Sequence, residues 1–255
     1  ANPERGTMNR YVVLTFWYVL FGVIALAALV WAVVKIIEGD FVTTAVVLGF
    51  VSCCVGLIAY LSLPMSGVVT PRADYDGAGT TIRRDSAVDI SYLLIIGGAF
   101  VSVGSVAVFG WSGDIDIALP PGQSWSRYAG VAVIATIALL PVLWMTMRHK
   151  GTGFIRLTAA GIEILGRGGL SSCAWDDVFD ITNSRGGKTF SPRDTLYVIK
   201  NKGPELSTTA DAYTPGGHAL RRFVRFYVMY PGYRDELTDG RAVQRFWDEN
   251  QWESG

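Results

Sequence analysis

The chain has 255 residues; half are apolar, only 17% are charged, and the mean hydropathy is +0.32. Soluble domains carry about 25% charged residues, and the shortfall here is local: 16 of the 44 charged residues fall in 1–147 and 28 in 148–255. That division excludes a single soluble domain and a disordered chain, and the formal net charge of zero excludes a nucleic-acid partner held by bulk charge.

Four stretches reach the roughly 20 apolar residues that a helix needs to cross a bilayer: Tyr11–Ile37, Phe41–Leu63, Ile90–Trp111 and Tyr128–Met147. The first follows Arg5 and Arg10, as the core of a signal peptide would. Its apolar run exceeds the 7–15 residues of such a core, and no small-x-small cleavage site follows, so it reads as a retained helix. Lys and Arg gather in the N-terminal arm (Arg5, Arg10), after the second stretch (Arg72, Arg83, Arg84) and after the fourth (Arg148, Lys150, Arg156). The other side has only Lys35 and Arg127. This bias places both termini in the cytoplasm of a plasma (inner) membrane protein. Trp17, Trp111, Trp125 and Trp144 lie near the ends of the stretches, as an aromatic belt requires.

Two stripes of small residues stand out. The second stretch carries Ala45, Gly49, Ser52, Gly56 and Ala59 on one face, and the third carries Gly98, Ser102 and Ser105. Small residues let helix backbones approach in lipid, so these eight positions are either internal packing of the bundle or an interface for another membrane subunit. No ionisable residue sits at mid-span. This argues against an ion-coupled transporter, and Pro141 is an isolated kink signal. Cys53 and Cys54 read as small packing residues, and Cys173 as a free thiol.

Between the second and third stretches, residues 66–87 mix Pro, Gly, Thr and charge and read as a long connection, with Arg83-Arg84 as a basic flank. Residues 148–255 form the second domain, following the membrane domain of 1–147. Phe154–Thr158 and Ile162–Leu165 read as a hairpin across Ala159-Ala160-Gly161. Ala174–Ile181 reads as a third strand and Thr195–Ile199 as a fourth, with a loop over 183–194 and one short strand within 203–217. Ala219–Met229 is an amphipathic helix ended by Pro231-Gly232, and a last helix starts at Asp239 with Val243, Phe246 and Trp247 as its apolar side. The fold class is thus a four-helix transmembrane bundle followed by a small α+β cytoplasmic domain, whose Trp175-Asp176-Asp177-Val178 strand after the Gly161-Ile162-Glu163-Ile164 hairpin resembles a PH-like domain. With 105 residues, Gly151–Gly255 is long enough for one core and is expected to fold alone. Arg221, Arg222 and Arg225 cluster on its first helix, either as a solvated face or as an anionic-lipid patch. With two His and three Cys, and neither a nucleophile-elbow spacing nor a phosphate-loop fingerprint, no catalytic, cofactor-binding or metal-binding residues are assigned and no cofactor is expected.

The four spans, the Gly161-Ile162-Glu163-Ile164 and Trp175-Asp176-Asp177-Val178 segments, and the ending Tyr230-Pro231-Gly232-Tyr233-Arg234-Asp235-Glu236-Leu237-Thr238-Asp239-Gly240-Arg241-Ala242 resemble small membrane proteins of mycobacteria and other actinobacteria. Among these the layout resembles the lipid uptake coordinator family, tetraspan proteins associated with Mce (mammalian cell entry) lipid importers. That resemblance implies an accessory, stabilising subunit of an ATP-driven importer of fatty acids or cholesterol, with other membrane subunits and the lipid bilayer as partners, no nucleic acid, and no chemistry of its own. The residues themselves leave open two other classes: an independent small transporter or channel, and a membrane-embedded enzyme acting on lipid. Orientation is directly testable. A reporter active only outside the membrane, fused at Gly255, is expected to be silent, and a strong signal overturns the orientation.

Overall fold

The computed structural model describes residues 3–148, 151–166, 169–183 and 194–251. Four long helices account for the apolar stretches: α1 (Pro3–Glu38), α2 (Phe41–Met65), α3 (Ser86–Phe109) and α4 (Trp125–Arg148). Thr15–Glu38 and the whole of α2, α3 and α4 are long and apolar enough to cross a membrane. At 1.5 Å per residue each spans about 36 Å, against roughly 30 Å of hydrocarbon. The chain is a multi-pass membrane protein. The helix assignment of α4 is unbroken across Pro141.

Local chemistry sets the turns. Gly39, at φ +80°, stops α1: its N–H donates to the Ile36 carbonyl, and the Asp40 N–H to that of Lys35, a Schellman arrangement. Asp40 then caps α2, its carboxylate accepting from the Thr43 N–H at 2.9 Å. Asp85 does the same for α3, accepting from the Ala87 N–H at 2.7 Å.

The chain divides into two compact units, Ala1–Tyr60 with Ile90–Arg148 and Leu61–Asp89 with His149–Gly255. The sequence reading of a membrane domain over 1–147 and a separate domain over 148–255 is corrected on this point. Residues 66–87 are not a mere connection. They fold into an antiparallel hairpin, β1 (Arg72–Asp76) and β2 (Gly79–Arg83). The Asp76 carboxylate closes its turn by accepting from the N–H groups of Ala78 and Gly79, both at 3.0 Å. The Ala78 N–H foremost, then the Arg156 guanidinium at 2.7 Å and the Gly79 N–H, hold its carboxyl below the usual carboxylate range.

β2 pairs antiparallel with β3 (Phe154–Thr158), which continues through β4 (Gly161–Gly166) to β5 (Gly169–Ala174). The sheet order is β1-β2-β3-β4-β5. Its register sets Ile82 opposite Ile155 and Ile155 opposite Ile164, with Thr80 opposite Leu157 and Leu157 opposite Ile162. All six are buried, and each of the Ile and Leu side chains contributes roughly 1.5–3 kcal/mol of burial. Period-2 alternation thus carries one continuous apolar face across strands drawn from two distant parts of the chain.

A second sheet has the order β6-β7-β8, from β6 (Val178–Thr182), β7 (Thr195–Lys200) and β8 (Leu206–Thr209). The single third strand expected over 174–181 is instead the last residue of β5, a 3-10 turn and most of β6. Trp175, in a 3-10 turn over Trp175–Asp177, is buried; its indole N–H donates to the Thr158 carbonyl at 2.8 Å, and the Arg234 guanidinium lies 4.8 Å over its ring. Anchoring this side chain inward turns the corner between the sheets. The loop read over 183–194 lies outside the described residues except at Asn183 and Asp194.

Three helices complete the unit: α5 (His218–Met229), α6 (Glu236–Asp239) and α7 (Arg241–Gln251). Phe223 of α5 packs edge-to-face on Phe246 of α7, with ring centroids 5.1 Å apart. Trp247, expected on the apolar side of the last helix, is exposed; Ala242 and Phe246 carry that side. The helices also rest on the hairpin: buried Thr80 donates to the Leu237 carbonyl at 2.8 Å, and Gly240 meets the Tyr75 ring.

Residues Gly151–Gly255 alone therefore lack two strands and part of the seat of α6 and α7. Expressed alone, this segment is expected to aggregate or give a poorly folded circular dichroism spectrum. Residues 66–89 joined to 151–255 by a short Gly/Ser linker should give a soluble α/β protein, in which Ile82→Ala costs roughly 2–5 kcal/mol. A cooperative, equally stable tail without the hairpin contradicts this assignment.

Candidate functional site

The small-residue stripes meet each other. The backbones of α2 and α3 run antiparallel and nearly touch. A Cβ built on Gly49 would stand 2.6 Å from the Ser102 nitrogen and 2.7 Å from the Gly98 oxygen. One on Gly98 would stand 2.5 Å from the Gly49 oxygen, and one on Gly56 2.8 Å from the Ser91 oxygen. Ser52 and Cys53 donate across the seam to the carbonyls of Leu94 (3.0 Å) and Ile95 (3.2 Å). Ala45, Ser52, Ala59, Ser102 and Ser105 are half-buried, and Ser105 turns its hydroxyl back to the Val101 carbonyl of its own helix. Glycine at the closest points and hydroxyl or thiol donors beside them are what lipid-embedded helices use to associate. The same idea seats the start of α4: a Cβ on Gly110 would meet the Ala129 side chain at 2.9 Å.

A polar clasp, which sequence reasoning missed, gathers at the α1–α2 turn. Buried Lys35 donates to Glu38 at 2.7 Å and to Asp116 at 2.5 Å, and the Asp116 N–H donates to Thr43 at 2.8 Å. Lys35 lies 81 residues from Asp116, so no local spacing announces the pair. Lys35, in the last turn of α1, is thus committed to holding the loop after α3.

The second unit has two basic regions. Arg84, read from sequence as part of a basic flank, is buried: its guanidinium donates to the Thr152 hydroxyl at 3.0 Å and stacks over the Tyr213 ring at 5.6 Å. Thr152 is held in turn by Asp89, which accepts from its N–H and its hydroxyl. Arg83 lies 4.0 Å from Asp74.

Arg221, Arg222 and Arg225 are brought together, with His218, on one face of α5. They line an open cleft of about 390 Å³ whose opposite wall is the end of β6. A further cleft of about 370 Å³ has Arg241, Arg245, Glu236 and Glu249 among its lining. There Arg245 makes a two-pronged pair with Glu236 (3.0 and 3.1 Å) and lies 4.2 Å over the Phe226 ring. Glu236 holds the Arg245 guanidinium above its ordinary range, while burial, then the charge of Glu236, pushes the Tyr227 phenol up. Tyr227 so placed keeps its proton at neutral pH, which suits a structural group rather than a base. Cys173 is buried and its thiol is pushed up by desolvation, away from the reactive thiolate. Among the described residues no three His, Cys, Asp or Glu side chains converge as metal ligands.

The α2–α3 seam makes a sharp expectation. Gly49→Leu and Gly98→Leu should abolish accumulation of the protein, and Gly49→Ala should lower its stability in mild detergent by roughly 1–3 kcal/mol. Unchanged yield and melting of both leucine variants would show that the two helices do not meet here.

No known protein family, curated protein or solved structure matches this chain.

Proposed function

We propose that this chain is an accessory, stabilising subunit of a larger membrane transport assembly and performs no reaction itself. Following the family resemblance of its layout, the assembly is an Mce-type ATP-driven lipid importer of the plasma membrane. In this reading both termini and the α+β unit face the cytoplasm. The unit is PH-like, supported by its two antiparallel sheets followed by α5 packed on the second.

The observation that carries the reading is how the spans use their polar groups. Ser52 and Cys53 are spent on the α2–α3 seam, Ser105, Thr136 and Thr146 on carbonyls of their own helices and Lys35 on the clasp, so these groups are not free to line a solute path. Meanwhile α4 and α1 keep broad apolar surfaces outward, including Val131, Ile134, Ile137 and Trp144 on α4 and Phe16, Val19 and Val23 on α1. Gly22 and Gly130 on these helices have open space where a Cβ would stand, which suits close approach by a neighbouring span. The seam glycines are taken up inside the bundle, so the partner face belongs to α1 and α4.

Gentle purification from the native host should bring down the subunits of a transport complex. Gly22→Leu and Gly130→Leu should leave the protein inserted and folded while depleting those subunits and lowering lipid uptake. A protein that purifies alone, from a host whose lipid uptake survives deletion of its gene, refutes the accessory role.

A further inference from the structure

We propose that the outer edge of β5 pairs antiparallel with β5 of a second copy of this chain, joining two five-stranded sheets about a two-fold axis. A sheet edge offers unpaired N–H and C=O groups to any strand that reaches it, and proteins guard such edges with charge, bulges or covering elements. Of the edges of the two sheets, three are guarded. β1 carries Arg72, Asp74 and Asp76, and α6 and α7 pack against it. β6 carries Asp180, its register with β7 shifts between Val178 and Asp180, and α5 packs on it. β8 lies against β4. β5, Gly-Leu-Ser-Ser-Cys-Ala, has no charge, no proline and an unbroken register, and Leu170, Ser171, Ser172 and Ala174 are exposed.

The strand turns alternate backbone groups outward. The Trp175 N–H donates to the Ala160 carbonyl at 3.4 Å, and bonded pairs alternate along an antiparallel ladder. Ser171 and Cys173 therefore bond to β4, while Leu170, Ser172 and Ala174 direct their N–H and C=O groups away from it. Cys173 Sγ lies 3.3 Å from the Ala174 carbonyl, a weak bond that leaves that oxygen a second lone pair.

The occupant follows from the symmetry of this set. Antiparallel pairing with Ser172 opposite Ser172 of the second copy also sets Leu170 opposite Ala174, so every outward N–H and C=O of the strand finds its complement. Leu170, 61% exposed, gains apolar cover beside Ala174. The strand has no charged residue, so no like charges are opposed along it. In sequence Arg167 and Asp177 lie equally far before and after Ser172, so the same order brings opposite charges to each end of the pair. β5 is thus its own complement in backbone, apolar contact and charge.

Full-length protein, purified alone in mild detergent, is weighed by native mass spectrometry over a concentration series, and a dimer is expected. Ser172→Pro removes the outward N–H from both copies and leaves the bonds to β4 in place, so it should weaken the dimer on the order of tenfold. Ser172→Lys mixed with Ser172→Glu should pair more tightly than either variant pairs with itself, since like charges directly opposite repel and unlike ones attract. In native membranes Ser172→Cys should give a disulfide-linked dimer under mild oxidation, because facing bonded residues stand about 5.5 Å apart. Wild type and Leu170→Cys should give none, the two copies of position 170 lying roughly 14 Å apart by strand rise. A wild type that stays monomeric, a dimer that Ser172→Pro leaves intact with unchanged melting, or a Ser172→Cys chain that stays unlinked overturns the proposal. So does a monomeric wild type from which Ser172→Pro strips co-purifying subunits, which would assign the β5 edge to a strand of another protein. Mass and cross-linking report on the protein with itself, so their failure leaves the accessory role standing.

Discussion

The backbone hydrogen bonds between β2 and β3 are the constraint from which the topology of this chain follows. β2 lies just after α2 and β3 just after α4, and the two can pair only in the same aqueous compartment. The intervening α3 and α4 must therefore leave that compartment and return. A charge bias among loops argues for such a path statistically; a ladder of N–H to carbonyl bonds requires it, since unpaired backbone in a sheet interior is costly. The five-stranded sheet of the α+β unit is in effect interrupted by a membrane hairpin between its second and third strands.

Within the bundle the balance is different, because lipid supplies no hydrophobic drive for one helix to leave it for another. What remains is dispersion over a close contact, and the α2–α3 seam gains it with glycine at the points of closest approach. The hydroxyl of Ser52 and the thiol of Cys53 find carbonyls across the seam rather than remaining unpaired in hydrocarbon. At one end, Lys35 trades membrane exposure for two carboxylates.

The spans were legible because a bilayer imposes a length and a polarity that composition alone satisfies, and β3, β4, β7 and α5 because their alternation is strong. The hairpin was not. β1 reads Arg-Ala-Asp-Tyr-Asp, with no apolar alternation, and β3, the strand that the hairpin joins through β2, lies far along the chain. The Asp76-Gly77 pair was its one local sign. Arg84 misled for a related reason: a cation beside a span looks like a headgroup contact until its partner Thr152, 68 residues away, is in place. Trp175 broke a strand because its indole needed an acceptor, a demand set by burial and invisible to periodicity. The basic cluster on α5 was visible as a spacing, but the cleft beside it depends on where β6 ends. The stripes on α2 and α3 were visible too, while their meeting one another is a property of the assembled helices.

The hairpin also puts the fold on a clock. Arg83 leaves the ribosome roughly 70 residues before Phe154, a delay on the order of 4–14 seconds at cellular rates of synthesis. Throughout that interval β2 shows a bare edge to its surroundings, with Ile82 uncovered, while α3 and α4 are still being threaded into the bilayer. A second strand edge waiting near the membrane invites pairing with whatever nascent chain is close. A translational pause within 90–150 would prolong that exposure, and so act on the β-sheet rather than on the helices being inserted.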